Sequence, residues 1–187
     1  MVVVSFEGGL GSGKTLGMTY MLYLEWKLMG RRIYANYHLN FPHEKLDLRD
    51  LLENLPQLND VAIGADELYI VMDSRLSVSK RNRLLSYFAL QTRKRNVTLY
   101  FTTQFLDQVD KRLRRLVDYR IMCERVGESL FKYTVFNLQS FPPSMHQFYL
   151  LGERVWHLYD TTELIDFTED LESDNLKALK KLLKDEK

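Results

Sequence analysis

Short apolar runs alternate with longer amphipathic stretches over the first two thirds of the 187-residue chain. Runs rich in β-branched and aromatic residues are typical of buried strands, and the stretches between them are typical of helices. Strands are predicted at residues 2–7, 31–37, 60–66, 97–103 and 118–123, and helices at residues 14–29, 47–54, 79–92 and 107–115. This alternation predicts a mainly parallel central sheet flanked by helices on both faces.

The C-terminal third of the chain departs from this alternation. Residues 130–136 form another apolar run, which can pair antiparallel with the preceding strand across a Val-Gly-Glu turn. Residues 155–159 are predicted to be a last strand. We therefore predict a single α/β domain over residues 1–160, with antiparallel strands added near its C-terminus. A charged helical tail over residues 161–187, not an independent domain, is expected to follow.

Composition narrows the class of protein. Apolar residues make up 45% of the chain and charged residues 27%, so the chain can bury a core and stay in solution. The single cysteine excludes a disulfide scaffold and a multi-cysteine zinc module, and fits a reducing compartment. The N-terminus does not have the pattern of a signal peptide, and no uncharged apolar stretch is long enough to span a membrane. We expect a cytoplasmic protein that does not insert into the membrane.

A glycine-rich loop between the first strand and the first helix carries the strongest chemical signal. Its sequence, GGLGSGKT, matches the phosphate-binding pattern G-x-x-x-x-G-K-[ST] in full. Backbone amides of such a loop surround a triphosphate, while Lys14 is expected to reach the β- and γ-phosphates and Thr15 to offer its hydroxyl to Mg²⁺. The loop therefore predicts an ATP site with bound Mg²⁺. The predicted nucleotide-binding residues are Gly8, Gly9, Leu10, Gly11, Ser12, Gly13, Lys14 and Thr15.

A second buried strand ends in two adjacent acids, Asp66 and Glu67. Asp66 is predicted to hold Mg²⁺ together with Thr15, and Glu67 to orient and deprotonate the attacking water. An acid pair of this kind favours ATP hydrolysis over a small-molecule kinase, which must keep water away from the γ-phosphate. Gln104 directly follows the strand at 97–103. We expect that strand to lie between the other two, so that Gln104 can contact the γ-phosphate or the water.

Positive charge is concentrated in one part of the chain, although the net charge is only +1. Residues 74–106 contain seven Lys or Arg and no Asp or Glu, and a second basic cluster follows at 111–115. The segment 160–187 has nine acids and five bases, which offsets this excess. A solvated helix face normally mixes both signs, so a long basic segment without acids is unusual for such a face. The near-neutral net charge is an average over this basic part and the acidic tail, and it therefore does not exclude a nucleic-acid partner.

Two functions would use this positive charge. One is contact with the nucleic-acid backbone. The other is an arginine finger, delivered to the γ-phosphate bound by a neighbouring subunit. Arg93 and Arg95 are the first candidates for the finger, and Arg112 and Arg114 are the alternative. The sequence leaves the choice open.

Together these segments resemble the FtsK/HerA branch of P-loop ATPases. The likeness rests on GGLGSGKT, RRIYANY and GADE, and on a predicted long helix followed by Arg-Lys-Arg, an apolar strand, Thr-Gln and Asp-x-Arg-x-Arg. It covers about residues 2–160. It is strongest to small viral genome-packaging ATPases of the archaeal-virus type and to Zot-like assembly ATPases of filamentous phages. The resemblance implies a RecA/ASCE-like P-loop fold and a ring homo-oligomer, often a hexamer, that moves double-stranded DNA. The resemblance further implies a capsid or portal-like vertex protein as a partner, which the motor would contact when it docks on the procapsid in the host cytoplasm.

Carried over by position, Lys14 and Thr15 match the family's Walker A pair, Asp66 and Glu67 its Walker B pair, and Gln104 its polar sensor. Zot-like proteins generally continue into a transmembrane segment, and this sequence contains no candidate for one. That difference favours genome packaging. The alternatives are a Zot-like assembly or extrusion motor acting with a membrane partner, a nucleoside or other small-molecule kinase, and an ATP-regulated binding module.

Overall fold

The computed structural model describes residues 2–46, 58–68, 95–109 and 111–160. The predicted helices at 47–54 and 79–92 and the predicted tail lie outside these residues. In chain order the elements are β1 (Val2–Glu7), α1 (Lys14–Met29), β2 (Arg32–Ala35), β3 (Glu44–Lys45), β4 (Val61–Ala65), β5 (Val97–Thr103), α2 (Lys111–Arg114), β6 (Tyr119–Arg125), β7 (Leu130–Asn137) and β8 (Ser144–Leu151). No helix of the described part of the chain is long and apolar enough to cross a membrane.

All the strands that the structure describes form one eight-stranded sheet in the order β3-β2-β4-β5-β1-β6-β7-β8. Pairing is parallel from β3 to β6 and antiparallel between β6, β7 and β8. The predicted α/β fold, with antiparallel strands added near the C-terminus, is therefore confirmed. Strand β5 lies between β4 and β1, as predicted for the strand that precedes Gln104. The carboxyl ends of these three strands consequently meet at one edge of the sheet.

Among the described residues, the core consists of two apolar layers, one on each face of the sheet. Side chains alternate along β1, so that Phe6 packs with Leu22 of α1 on one face and Val3 packs with Phe101 on the other. Helix α1 lies unusually close to the sheet at Gly17, where a Cβ atom would be 2.4 Å from the ring of Tyr133. This close approach fixes the start of α1, and hence the glycine-rich loop, against the sheet edge.

A buried polar network joins the C-terminal end of α1 to the amino ends of β4 and β5, at the end of the sheet opposite to the glycine-rich loop. Arg31 is 5% exposed, and its guanidinium donates to Glu25 Oε2 at 2.8 Å and to Thr98 Oγ1 at 2.9 Å. It also donates to the carbonyl oxygen of Val61 at 2.7 Å. The second oxygen of Glu25 accepts a 2.6 Å hydrogen bond from the Tyr100 hydroxyl. One side chain therefore joins the end of α1 to β4 and β5, far from the loop.

Two predicted elements need correction, and two strands were missed. The strand predicted at 155–159 is wrong, because this segment forms a 3-10 turn at Trp156–Leu158 and only a single bridge at Tyr159. Of the described residues in the helix predicted at 107–115, Lys111–Arg114 are α-helical, and a 3-10 turn at Leu106–Gln108 precedes them. The pattern also missed the two-residue strand β3 and strand β8, which form the two outer edges of the sheet, β3 parallel to β2 and β8 antiparallel to β7.

Candidate functional site

The glycine-rich loop follows β1 directly and wraps in front of α1. Gly13, which precedes the helix, has φ 88°, a left-handed conformation that favours glycine. A Cβ atom there would also lie 2.5 Å from the Phe131 ring. The Tyr133 hydroxyl donates to the carbonyl oxygen of Gly13 at 2.8 Å. Strand β7 therefore supports the loop from behind and leaves no space for a side chain at this position.

Lys14 lies inside the curve of the loop. Its Nζ donates to the carbonyl oxygens of Gly8 and Gly9, each at 3.0 Å, and the residue is 7% exposed. An ammonium group in this position is surrounded by the loop that is expected to hold the phosphates. The first turn of the 16-residue helix α1 contains no acidic side chain. Lys14 and the positive end of the helix dipole therefore both favour an anion at the loop.

Asp66 lies directly beside Thr15, although the two residues are far apart in the chain. The Thr15 hydroxyl is 3.1 Å from Asp66 Oδ1 and 3.2 Å from Oδ2, and Thr102 Oγ1 donates to Oδ1 at 2.5 Å. Burial raises the pKa of the Asp66 carboxyl, while the hydrogen bonds from Thr102 and Thr15 and the charge of Lys14 oppose that shift. These donors and the Lys14 charge thus offset part of the cost of burying a charged carboxylate.

The oxygens of Thr15 and Asp66 fit a Mg²⁺ site. Mg²⁺ binds oxygen ligands at about 2.1 Å in an octahedron, so neighbouring ligands lie about 3 Å apart. The separation of 3.1 Å between the Thr15 hydroxyl and the Asp66 carboxylate matches that value. A hydroxyl and a carboxylate are also ligand types that Mg²⁺ prefers. These two residues would hold the ion, with the remaining positions left for water and phosphate oxygens.

Glu67 follows Asp66 in a tight turn at the end of β4. Its φ is 48°, which is uncommon for a residue other than glycine. The Glu67 backbone N–H donates to Thr102 Oγ1 at 2.8 Å. The backbone of Asp66 is held from the other side, since its N–H donates to Asn36 Oδ1 at 2.7 Å and its carbonyl accepts from Asn36 Nδ2 at 2.8 Å. Both predicted acids therefore lie at the same sheet edge as Lys14.

The structure places the other predicted site residues at different distances from this edge. Gln104 directly follows β5, half-buried, at the carboxyl edge of the sheet. Arg95 lies two residues before β5 and eight residues before Thr103 at the carboxyl end of that strand, so at about 3.3 Å per residue it lies about 25 Å from its own loop. Arg114 pairs with Asp107 at 2.8 Å. Arg112 lies in α2, and Arg93 lies outside the described residues.

Sequence reasoning missed several residues that support the site. Thr102 and Asn36 contact the acid pair, and Tyr133 contacts the loop. Glu7, the last residue of β1, is buried, and its carboxylate accepts a bifurcated hydrogen bond from Arg120 Nε and a further bond, at 2.7 Å, from Arg120 Nη2. A polar residue at the end of an otherwise apolar strand was the available signal for Thr102 and Glu7. For Asn36 and Tyr133 the sequence carried no comparable signal.

The sheet order and the loop in front of α1 define the fold as a P-loop NTPase fold. Comparison with solved structures supports this fold. The N-terminal domain of zonular occludens toxin from Neisseria meningitidis is 19% identical with a TM-score of 0.64, and the match covers 85% of this chain and 98% of that chain. No family model and no curated protein matches the sequence.

A second group of similar structures comes from archaeal viruses. The genome packaging NTPase of Sulfolobus turreted icosahedral virus 2, solved in complex with ATP-gammaS, is 13% identical with a TM-score of 0.54, and the match covers 78% of this chain and 96% of that chain. The DNA-packaging ATPase of Sulfolobus turreted icosahedral virus has the same identity, TM-score and coverage. The resemblance inferred from the motifs is thus confirmed for both groups. At these identities the likeness establishes the fold.

Proposed function

We propose that the protein binds ATP with Mg²⁺ and hydrolyses it, and that hydrolysis drives translocation of double-stranded DNA during packaging of a viral genome. The observation that carries this proposal is the contact between Thr15 and Asp66, with Glu67 next to it and Lys14 inside the loop. These groups combine a triphosphate cradle, a metal site and a base at one sheet edge. The similar structures include one genome packaging NTPase solved in complex with ATP-gammaS and with AMPPCP, which supports ATP as the ligand.

The residues divide the chemistry between them. The loop amides and Lys14 bind the phosphates, and Thr15 and Asp66 hold the metal ion, which offsets charge on the β- and γ-phosphates when it is bound. Glu67 accepts a proton from the water that attacks the γ-phosphorus. The new P–O bond forms as the bond to the β,γ-bridging oxygen breaks, leaving ADP and inorganic phosphate. Gln104 orients the water or contacts the γ-phosphate.

Assembly into a ring would complete the site. Arg95 lies about 25 Å from its own loop, so as a finger it would act on the nucleotide of a neighbouring subunit. Arg93 belongs to the same basic segment, and Arg112 and Arg114 are the alternative finger. The segment at 74–106, which contains bases and no acids, supports contact with the DNA backbone. A capsid or portal-like vertex protein would be the docking partner, with the motor in the host cytoplasm.

The proposal is tested by measuring the ATPase rate against protein concentration, with and without duplex DNA. A trans finger makes turnover depend on assembly, so the specific activity is expected to rise steeply with concentration and to rise further when duplex DNA is added. A specific activity that is constant with concentration and indifferent to DNA would overturn the ring motor. If the ring motor is supported, alanine variants of Arg95 and Arg114 identify the finger. The finger variant keeps its own Glu67, and a neighbouring subunit that lacks Glu67 still supplies the arginine. Only the finger variant is therefore expected to recover ATPase activity when the two are mixed.

A second candidate function is a Zot-like motor for virion assembly or extrusion. The observation that favours it is the higher TM-score of 0.64, with 98% coverage of the toxin domain. Such a motor would be recruited to the membrane by a partner protein and would hydrolyse ATP without regard to duplex DNA. Stimulation by DNA in the first assay favours packaging, whereas DNA-blind turnover together with partner-dependent sedimentation on vesicles favours assembly.

A further inference from the structure

The side chain of Thr102 contacts both predicted acids at once. Thr102 is the penultimate residue of β5 and is fully buried. Its oxygen accepts the Glu67 N–H at 2.8 Å, and its hydroxyl lies 2.5 Å from Asp66 Oδ1. A hydroxyl has a single proton, and because the Glu67 amide can only donate, that proton goes to the Asp66 carboxylate. The direction of both hydrogen bonds is therefore fixed.

Asn36 holds the same turn from the opposite side. It follows β2, and its amide side chain makes two hydrogen bonds to the main chain of Asp66, at 2.7 and 2.8 Å. Strand β4 lies between β2 and β5 in the sheet. The turn that ends β4 thus receives one polar side chain from each side, Thr102 from within β5 and Asn36 from directly after β2.

The turn needs support of this kind because its backbone is strained. Glu67 has φ 48°, and a non-glycine residue keeps such a conformation only where the surroundings enforce it. The backbone conformation of Glu67 also sets where its carboxylate points. Since a displacement of about 1 Å in a reacting group can lower a rate by about a hundredfold, the hydrogen bonds that hold this turn bear directly on turnover.

We propose that Thr102 and Asn36 are positioning residues that hold the Asp66–Glu67 turn in the geometry required for hydrolysis. In this role neither residue touches the reacting atoms. Each acts through the acids that it holds in place. The inference rests on the proposed ATPase function. It adds to that function by identifying the residues that fix the position of the acid pair, one in β5 and one directly after β2.

The test compares Thr102→Val with Thr102→Ser in the assembled protein. Valine matches threonine in shape but has no hydroxyl, so kcat is expected to fall about 10- to 100-fold and the Mg²⁺ concentration for half-maximal turnover to rise. The dissociation constant for a fluorescent ATP analogue is expected to stay within about threefold, since the loop and Lys14 are untouched. Serine keeps the hydroxyl and is expected to restore most of the rate. Asn36→Ala is expected to lower kcat in the same way.

Thr103→Val is the matched control. Thr103 is the neighbouring residue on β5 and equally buried, but its hydroxyl donates to the carbonyl oxygen of Phe105 at 3.0 Å. The same atoms are removed, so a general loss of packing or of a hydrogen bond affects both variants alike. We expect Thr103→Val to leave kcat within about a factor of two and the Mg²⁺ dependence unchanged. If Thr102→Val does not fold, Thr102→Ala is measured against Thr103→Ala instead.

Equal rates and equal Mg²⁺ dependence in the Thr102 and Thr103 variants would overturn the positioning role. So would a failure of Thr102→Ser to exceed Thr102→Val. The wild-type protein tests the proposed function separately. That function is wrong if the assembled wild-type protein hydrolyses no ATP in the presence of Mg²⁺. Wild-type turnover with indistinguishable Thr102 and Thr103 variants would refute this inference alone.

Discussion

Replacing Arg31 by methionine is expected to destabilise the fold more than any other single arginine substitution among the described residues. Methionine keeps the apolar stem but removes a guanidinium that is 5% exposed and joins Glu25, Thr98 and the carbonyl of Val61. The Glu25 carboxylate would then stay buried without its charge partner. Breaking a buried ion pair from one side costs about 3–5 kcal/mol. For a domain of this size that free energy corresponds to a fall in Tm of about 6–20 °C.

Urea unfolding followed by circular dichroism measures this loss, with Arg32→Met as the matched control. Arg32 is the next residue, but its side chain is 56% exposed and its ion pair with Glu44 is 4.0 Å long. Exposed pairs of this kind contribute at most about 1 kcal/mol. Replacing Glu25 by glutamine in the Arg31 variant removes the unpaired charge, and so part of the lost stability is expected to return. A loss no larger in Arg31→Met than in Arg32→Met would refute the reasoning.

Three further outcomes follow from named contacts. Burial raises the pKa of the Cys123 thiol to about 12, so at pH 8 the thiol is neutral and Ellman's reagent is expected to react only after unfolding; rapid labelling of the native protein would contradict this. Gly17→Ala places a Cβ atom 2.4 Å from the Tyr133 ring and is expected to lower the unfolding free energy by about 1–3 kcal/mol in urea titrations; an unchanged midpoint would show that α1 can move away from β7. Lys14→Ala removes the cation inside the loop, and a fluorescent ATP analogue is expected to bind at least about tenfold more weakly; wild-type affinity would mean that the phosphates bind elsewhere.

The bounds of α1 illustrate what the sequence alone could predict. The predicted helix at 14–29 is confirmed residue for residue, because glycines in left-handed conformations lie at both ends, with φ 88° at Gly13 and 66° at Gly30. Strand β8 was missed for the opposite reason. It is an edge strand with most of its residues partly or fully exposed, so it does not show a strong apolar pattern. The strand predicted at 155–159 is wrong because Val155 and Leu158 are buried three residues apart, which is the spacing of a 3-10 turn.

The candidate site likewise contains residues that a local pattern predicts and residues whose contacts depend on the tertiary fold. Lys14 and Thr15 could be predicted from a local pattern in one loop, and the acids from a strand that ends in Asp-Glu. Thr102 and Asn36 reach Asp66 from sequence separations of 36 and 30 residues. Their contacts depend on β4 lying between β2 and β5, and strand order is not contained in the apolar pattern of any one segment. The predicted roles of the arginines likewise depend on how subunits assemble.

The most direct test of the central claim is Mg²⁺-dependent ATP turnover in the Glu67→Gln variant, measured beside binding of an ATP analogue. Glutamine keeps the size of the side chain but cannot accept the proton of the attacking water, so turnover is expected to fall about 10²- to 10⁴-fold. Analogue binding is expected to stay within about threefold of wild type, because Lys14, Thr15 and Asp66 are intact. Turnover equal to wild type in this variant would contradict the assignment of Glu67 as the base, and with it the hydrolytic site.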